Sequence, residues 1–171
     1  RFLRGLALGR LGRWDEAAAS FEQLLAAPPT LRRAARLGLA EVRLRQRRWP
    51  DALAAVRPLL DGGRGRTDAL ARLIAGEARL GGGDPAAALE SADIPQAQPP
   101  VVQSRADYLA GRALLALERH QEALARLLEL ARNPHNVPSE IHAGAGLVAA
   151  GALLDLRRVD EAEALVESYI G

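Results

Sequence analysis

Five short phrases recur along this 171-residue chain at nearly constant spacing, and that period constrains the fold more than any other feature. Trp14, Trp49, Pro85, His120 and Val159 head the phrases WDEA, WPDA, PAAA, HQEA and VDEA, at intervals of 35, 36, 35 and 39 residues. Ala17, Ala52, Ala88, Ala123 and Ala162 follow three residues later, and Gly5, Ala40, Gly76, Gly111 and Ala150 stand nine residues before. A period of this length specifies a stacked array of small units, not a globular domain around one catalytic cleft.

The units are helical. Ala, Leu and Arg dominate, only six residues are aromatic, and Val, Ile and Thr are scarce, which disfavours a sheet. Each unit reads as two helices joined by a tight turn. Phe2–Leu11 and Trp14–Ala27 form the first pair around Gly12-Arg13, and Pro28-Pro29 stops the second helix. Thr30 is placed to cap a helix over Leu31–Gln46, and Pro50 suits the opening turn of the next, which runs to about Leu60. Gly62–Arg66 reads as a linker and Thr67 as the following cap. In the third unit Gly81–Gly83 makes the turn, Asp84-Pro85 caps a short helix, and Ala92–Pro100 reads as a Pro-punctuated strap. The fourth unit runs from Val101 to about Arg132 and the fifth over Ser139–Tyr169. These boundaries divide a single domain, 1–171, into units of approximately 1–29, 30–66, 67–100, 101–135 and 136–171. Small residues such as Gly5 and Ala40 let partner helices approach. Phe21, Val56, Leu127 and Val166 are expected to fill the gaps between neighbouring units, with Ala92 in that place in the third.

Composition excludes some chemistry. With no Cys there are no disulfides and no thiolate metal sites. The apolar stretch Ile141–Leu154 is too short to span a bilayer and is expected to be a buried helix. The chain begins inside a repeat without Met, has no signal peptide and ends without a polar capping helix, so it is expected to be part of a larger protein. The compartment stays open between bacterial cytoplasm and periplasm; zero Lys among 23 basic residues points to a GC-rich coding sequence. Residues 1–85 carry 16 Arg against 9 acids, net +7, and residues 86–171 carry 7 Arg against 12 acids, net −5.

The phrases LGRWDEAAASFEQLLAAPP (Leu11–Pro29) and GRALLALERHQEALARLLELARNP (Gly111–Pro134) resemble the tetratricopeptide repeat family, and five such phrases in register cover nearly the whole chain. The resemblance implies an all-α, right-handed superhelical solenoid of about five antiparallel helix pairs, with first helices lining a concave groove. It also implies a protein-binding scaffold and no enzyme. Departures include Arg47, Glu118 and Arg157 in place of the turn glycine, Arg64 and His135 where a helix-ending Pro is usual, and Arg43 in place of an apolar packing residue. The carboxylate clamp of chaperone-binding relatives is absent, because Glu41, Glu77 and Arg112 stand where those relatives place Asn and Lys.

Candidate chemistry is sparse. His135 and His142 near Glu140 lack helical zinc spacing, and Gly81–Asp84 lacks the Lys-Ser/Thr of a phosphate loop. No Ser sits in a nucleophile elbow, and Asp15-Glu16 and Asp160-Glu161 suit helix N-termini. No catalytic residue, metal or cofactor is therefore assigned. Arg32, Arg33, Arg36, Arg43, Arg45, Arg47 and Arg48 have only Glu41 as an acid in their own helix; without aromatic stacking residues this disfavours nucleic acid and favours a solvated face or an acidic protein. Arg105, Tyr108 and Arg112 fall on one helical stripe, which the resemblance turns toward the groove. With Glu41 and Arg45 in the second unit and Glu77 in the third, they are the candidate partner-binding residues. Two guanidiniums around a phenol suit a carboxylate or an acidic peptide. The alternatives are a peptide-sensing regulatory module of a larger enzyme or transcription regulator, or a salt-dependent homo-oligomer formed by the oppositely charged halves.

Overall fold

The computed structural model describes residues 1–60, 65–95 and 97–170. Ten α-helices are present among them, and they fall into two compact units. The linker expected over Gly62–Arg66, with Arg64, lies mostly outside the described residues, as does Gln96 of the strap.

The first unit, Arg1–Ser91, holds α1 (Phe2–Arg10), α2 (Trp14–Glu22), α3 (Pro29–Arg45), α4 (Trp49–Val56), α5 (Arg66–Gly81) and α6 (Pro85–Ser91). Each helix packs on the next, and α1 also meets α3 as α3 meets α5. The second unit, Ala92–Gly171, holds α7 (Pro100–Ala116), α8 (His120–Arg132), α9 (Ser139–Asp155) and α10 (Val159–Ile170), packed in the same order, with α7 also against α9.

The turns follow the period. Gly12, Arg47, Gly83, Glu118 and Arg157 occupy the same repeat position and all have positive φ, between 57° and 88°. The residue after each donates its N–H to the carbonyl five positions back, as Arg13 does to Leu8 and Arg158 to Leu153, both at 2.9 Å. This left-handed ending satisfies carbonyls that the first helix leaves open and reverses the chain within three residues. The second helix then begins with a clamp that recurs in four pairs. Arg13, Arg48, Arg119 and Arg158, each just ahead of the helix, bond Glu16, Asp51, Glu122 and Glu161 three residues on at 2.6–2.7 Å. In the remaining pair Asp84 accepts the N–H of Ala87 at 3.0 Å. The clamps hold Glu122 and Glu161 below the usual carboxylate range, chiefly through the hydrogen bonds from Arg119 and Arg158.

Close approach at small residues builds the core. The Phe21 ring lies between two helices: a β-carbon at Gly5 on α1 would stand 2.8 Å from it, and one at Gly38 on α3 2.7 Å. Leu127 presses on Gly111 in the same way, and Trp49 on Gly81. Phe21, Val56 and Leu127 are buried, each contributing about 1.5–3 kcal/mol through its removal from water.

Several boundaries differ from expectation. The second helix ends at Glu22, short of Ala27, because Leu24, Leu25 and Ala27 make tighter i−3 bonds ahead of Pro28. Thr30 does not cap α3, which starts at Pro29 with its ring in the first turn, and Thr67 does not cap α5, where Asp68 reaches back to the Gly65 N–H at 3.2 Å. Pro58 has no N–H, and the chain tightens into a 3-10 turn over Arg57–Leu59 where the fourth helix was expected to continue. Two packing expectations also fail. Val166 is 45% exposed, although its counterparts Phe21, Val56 and Leu127 are buried. The Ile141–Leu154 stretch is helical but only half-covered, with Leu147 and Leu154 on an exposed face.

Candidate interaction surface

Helix α7 is a seventeen-residue helix that carries Arg105, Tyr108 and Arg112. Its buried side, including Val102, Ala106, Leu109 and Ala113, fixes the helix and leaves the stripe of the three candidate residues on another side. Tyr108 is half-buried with its hydroxyl against α9, where a β-carbon at Gly144 would stand 2.6 Å from Oη. The exposed Arg112 guanidinium lies over the Tyr108 ring, 5.5 Å from its centroid. Cation–π contact and the glycine seat together fix the ring. Arg105 is half-buried and engaged in an interaction of its own. Asp107, one acid that could have neutralised this stripe, instead accepts from Arg126 of α8 at 2.8 Å.

The other candidates lie in the first unit. Glu41 and Arg45 are exposed on α3, and Glu77 is half-buried on α5. The seven arginines between Arg32 and Arg48 do not form one basic patch, because acids arrive from other helices. Arg43 bonds Glu22 of α2 at 2.7 Å and Gln46 at 2.9 Å, while Gln46 reaches Asp15 at 2.8 Å. The place of an apolar packing residue is thus filled by a polar bridge between α2 and the end of α3. Arg33 meets Asp68 of α5 at 3.2 Å, and Arg48 is held in its turn clamp by Asp51. Arg32, Arg33 and Arg36 line a shallow depression of about 350 Å³ with Pro29, Pro58 and Leu59.

A cleft of about 510 Å³ runs between α8, α9 and α10, with Leu128, Ala131, Leu153 and Leu165 in its apolar lining and Arg132, Glu161 and His142 among its polar groups. The His142 and Tyr169 rings stack at one wall, with centroids 4.8 Å apart. His142 Nε2 donates to the Ala131 carbonyl at 3.0 Å, and Tyr169 Oη donates to the His142 carbonyl at 3.0 Å. His142 is thereby a packing residue. No group of three potential metal ligands occurs among the described residues. The bridging role of Arg43 and the turn clamps escape a helix-by-helix reading. The clamps do leave a signal, Arg-x-x-Asp/Glu at the same point of four repeats.

The family model for the tetratricopeptide repeat matches residues 2–66, 37–100 and 108–171, in step with the turns and helix pairs. The chain belongs to the tetratricopeptide repeat family. Tetratricopeptide repeats are in general protein–protein interaction modules, and the family is typically a non-catalytic scaffold. The Arg112–Tyr108 pair falls inside the third matched segment. No curated protein and no solved structure matches the chain. No helix among the described residues is long and apolar enough to cross a membrane.

Proposed function

We propose that this tetratricopeptide repeat chain is a non-enzymatic scaffold that binds an acidic segment of a partner protein in a concave groove, with Arg105, Tyr108 and Arg112 as anchors. The observation that carries the reading is the exposed Arg112 guanidinium stacked on a Tyr108 ring that is itself seated on Gly144. A ring held from two sides loses little freedom on binding, and a guanidinium above it offers a two-pronged donor to a carboxylate. The neutralising acid nearest in sequence, Asp107, is committed to Arg126. Glu41, Arg45 and Glu77 are proposed as partner contacts of the first unit by itself.

The test uses a library of fluorescent heptapeptides carrying Asp, Glu and a free C-terminal carboxylate. Binding by the parent is expected to be lost in the Arg105→Ala, Tyr108→Ala, Arg112→Ala triple variant, with helicity retained. Equal affinity of parent and triple variant removes these residues from the interface.

A further inference from the structure

Helix α3 concentrates cationic groups near its beginning. Pro29, Arg32, Arg33 and Arg36 fall at i, i+3, i+4 and i+7, on one face, and with Pro58 and Leu59 from the turn after α4 they line the depression of about 350 Å³. Repeat stacking does not call for these arginines. The same three places hold Asp68, Ala69 and Arg72 on α5, Gln103, Ser104 and Asp107 on α7, and His142, Ala143 and Gly146 on α9. Helix α3 packs against α1, α2, α4 and α5, so the depression belongs to an interior repeat of the first unit.

The arrangement costs stability unless an anion fills it. Like charges four residues apart on a helix, such as Arg32 and Arg36, repel. A cation close to a helix N-terminus, as Arg32 is, also opposes the dipole. Asp68 answers one of the three guanidiniums, accepting from Arg33 at 3.2 Å. Among the described residues no hydrogen bond or ion pair holds the side chain of Arg32 or Arg36. Two charges are thus left for a ligand. A carboxylate offsets one of them, whereas a phosphate monoester, with a charge near −2 and three acceptor oxygens, offsets both at one centre. Pro29 and Pro58 are exposed and give the depression a rigid apolar rim. A shallow site with such a rim suits the short side chain of phosphoserine or phosphothreonine and the residues beside it.

We infer that this depression receives a phosphorylated serine or threonine of a partner protein, with Arg32 and Arg36 on the phosphate oxygens and Pro29 and Pro58 against the flanking residues. The site selects a dianion over a carboxylate, lies within the first unit, and does not rest on the anchors at α7.

The test is fluorescence anisotropy of labelled heptapeptides with a fixed central phosphoserine and degenerate flanks, at about 20 mM NaCl, where screening is weak. Parallel libraries carry serine or aspartate at the centre. The phosphoserine library is expected to bind at least about tenfold more tightly than the other two. Arg32→Ala and Arg36→Ala should each lower that affinity, and the double variant should bind all three libraries alike. The double variant should melt no lower than the parent, since it removes a like-charge pair. The Arg105→Ala, Tyr108→Ala, Arg112→Ala triple variant should keep phosphoserine binding, so failure at α3 and failure at α7 are read apart. Equal affinity for phosphoserine and aspartate overturns the inference, and so does equal affinity of parent and double variant, or lost binding that comes with lost melting. Inorganic phosphate that matches the phosphopeptides overturns the protein source. A short single-stranded oligonucleotide that binds the parent more tightly than the phosphopeptides overturns it in favour of nucleic acid.

Discussion

Gly38→Ala tests whether close approach at small residues holds the units together. In a helix interior, Ala is favoured over Gly by about 1 kcal/mol, so propensity alone makes the change stabilising. At this position the added carbon stands 2.7 Å from the Phe21 ring. The ring has little room to retreat, because Gly5 of α1 also lies close to its tip, at a comparable distance, and Phe2 meets it edge-on at a centroid separation of 5.6 Å. Forcing a methyl group into such a site costs about 1–3 kcal/mol, and with the ring tip crowded by Gly5, Gly38 and Phe2 the upper part of that range applies. The net expectation is a loss of about 1–2 kcal/mol, a fall in melting midpoint of about 5–10 °C for a unit of this size. Gly9→Ala is the matched control in the same unit, since its nearest contact, Trp14, is at an ordinary 4.0 Å. That variant should gain about 0.5–1 kcal/mol. Trp14 and Trp49 are the only tryptophans and both lie in the first unit, so their fluorescence during thermal or urea unfolding reports that unit. Phe21→Leu in the Gly38→Ala background should show favourable coupling in a double-mutant cycle. A stabilised Gly38→Ala, equal to Gly9→Ala, would refute close approach as the packing principle.

Other perturbations separate the remaining terms. Replacing Arg47, Glu118 or Arg157 with Gly should stabilise by up to about 1 kcal/mol, because each holds a left-handed φ that side chains disfavour; unchanged melting would remove strain from these turns. Gly151→Ala should raise the stability of α9 by about 0.5–1 kcal/mol, since no atom lies within 4 Å of the added carbon, as read by hydrogen exchange along that helix. Glu122 and Glu161 have folded pKa values lowered by their arginine clamps, so their stabilisation is present above the ordinary carboxylate pKa and disappears as pH falls through the lowered one. Melting followed between about pH 6 and pH 2 should show this loss, and Glu122→Gln with Glu161→Gln should flatten it. An unchanged profile in the double variant assigns the pH dependence to other carboxylates.

What the chain discloses before folding is governed by how local the physics is. The five turns were legible because one backbone reversal recurs at one register, even where Arg47, Glu118 and Arg157 replace glycine. The ends of α2 and α4 were not, since tighter hydrogen bonding ahead of Pro28 and at Pro58 competes with an apolar pattern that continues. Val166 was misjudged because it was read by analogy with Phe21, Val56 and Leu127, and Leu147 because a continuous apolar stretch was taken as buried on every side. Arg43 looked like surplus charge because its partner, Glu22, lies on another helix. At α7 the stripe of Arg105, Tyr108 and Arg112 could be read from spacing. The seating of Tyr108 on Gly144 could not, because it needs the contact between α7 and α9.

Binding at α7 is tested most directly by mapping amide shifts in 15N-labelled protein during titration with an acidic heptapeptide that binds. The largest shifts are expected along Arg105–Arg112 and at Gly144, the residue against which the Tyr108 hydroxyl rests. Saturable binding that leaves those amides unmoved and shifts those around Arg32 and Arg36 would contradict the assignment and place the acidic partner on the first unit.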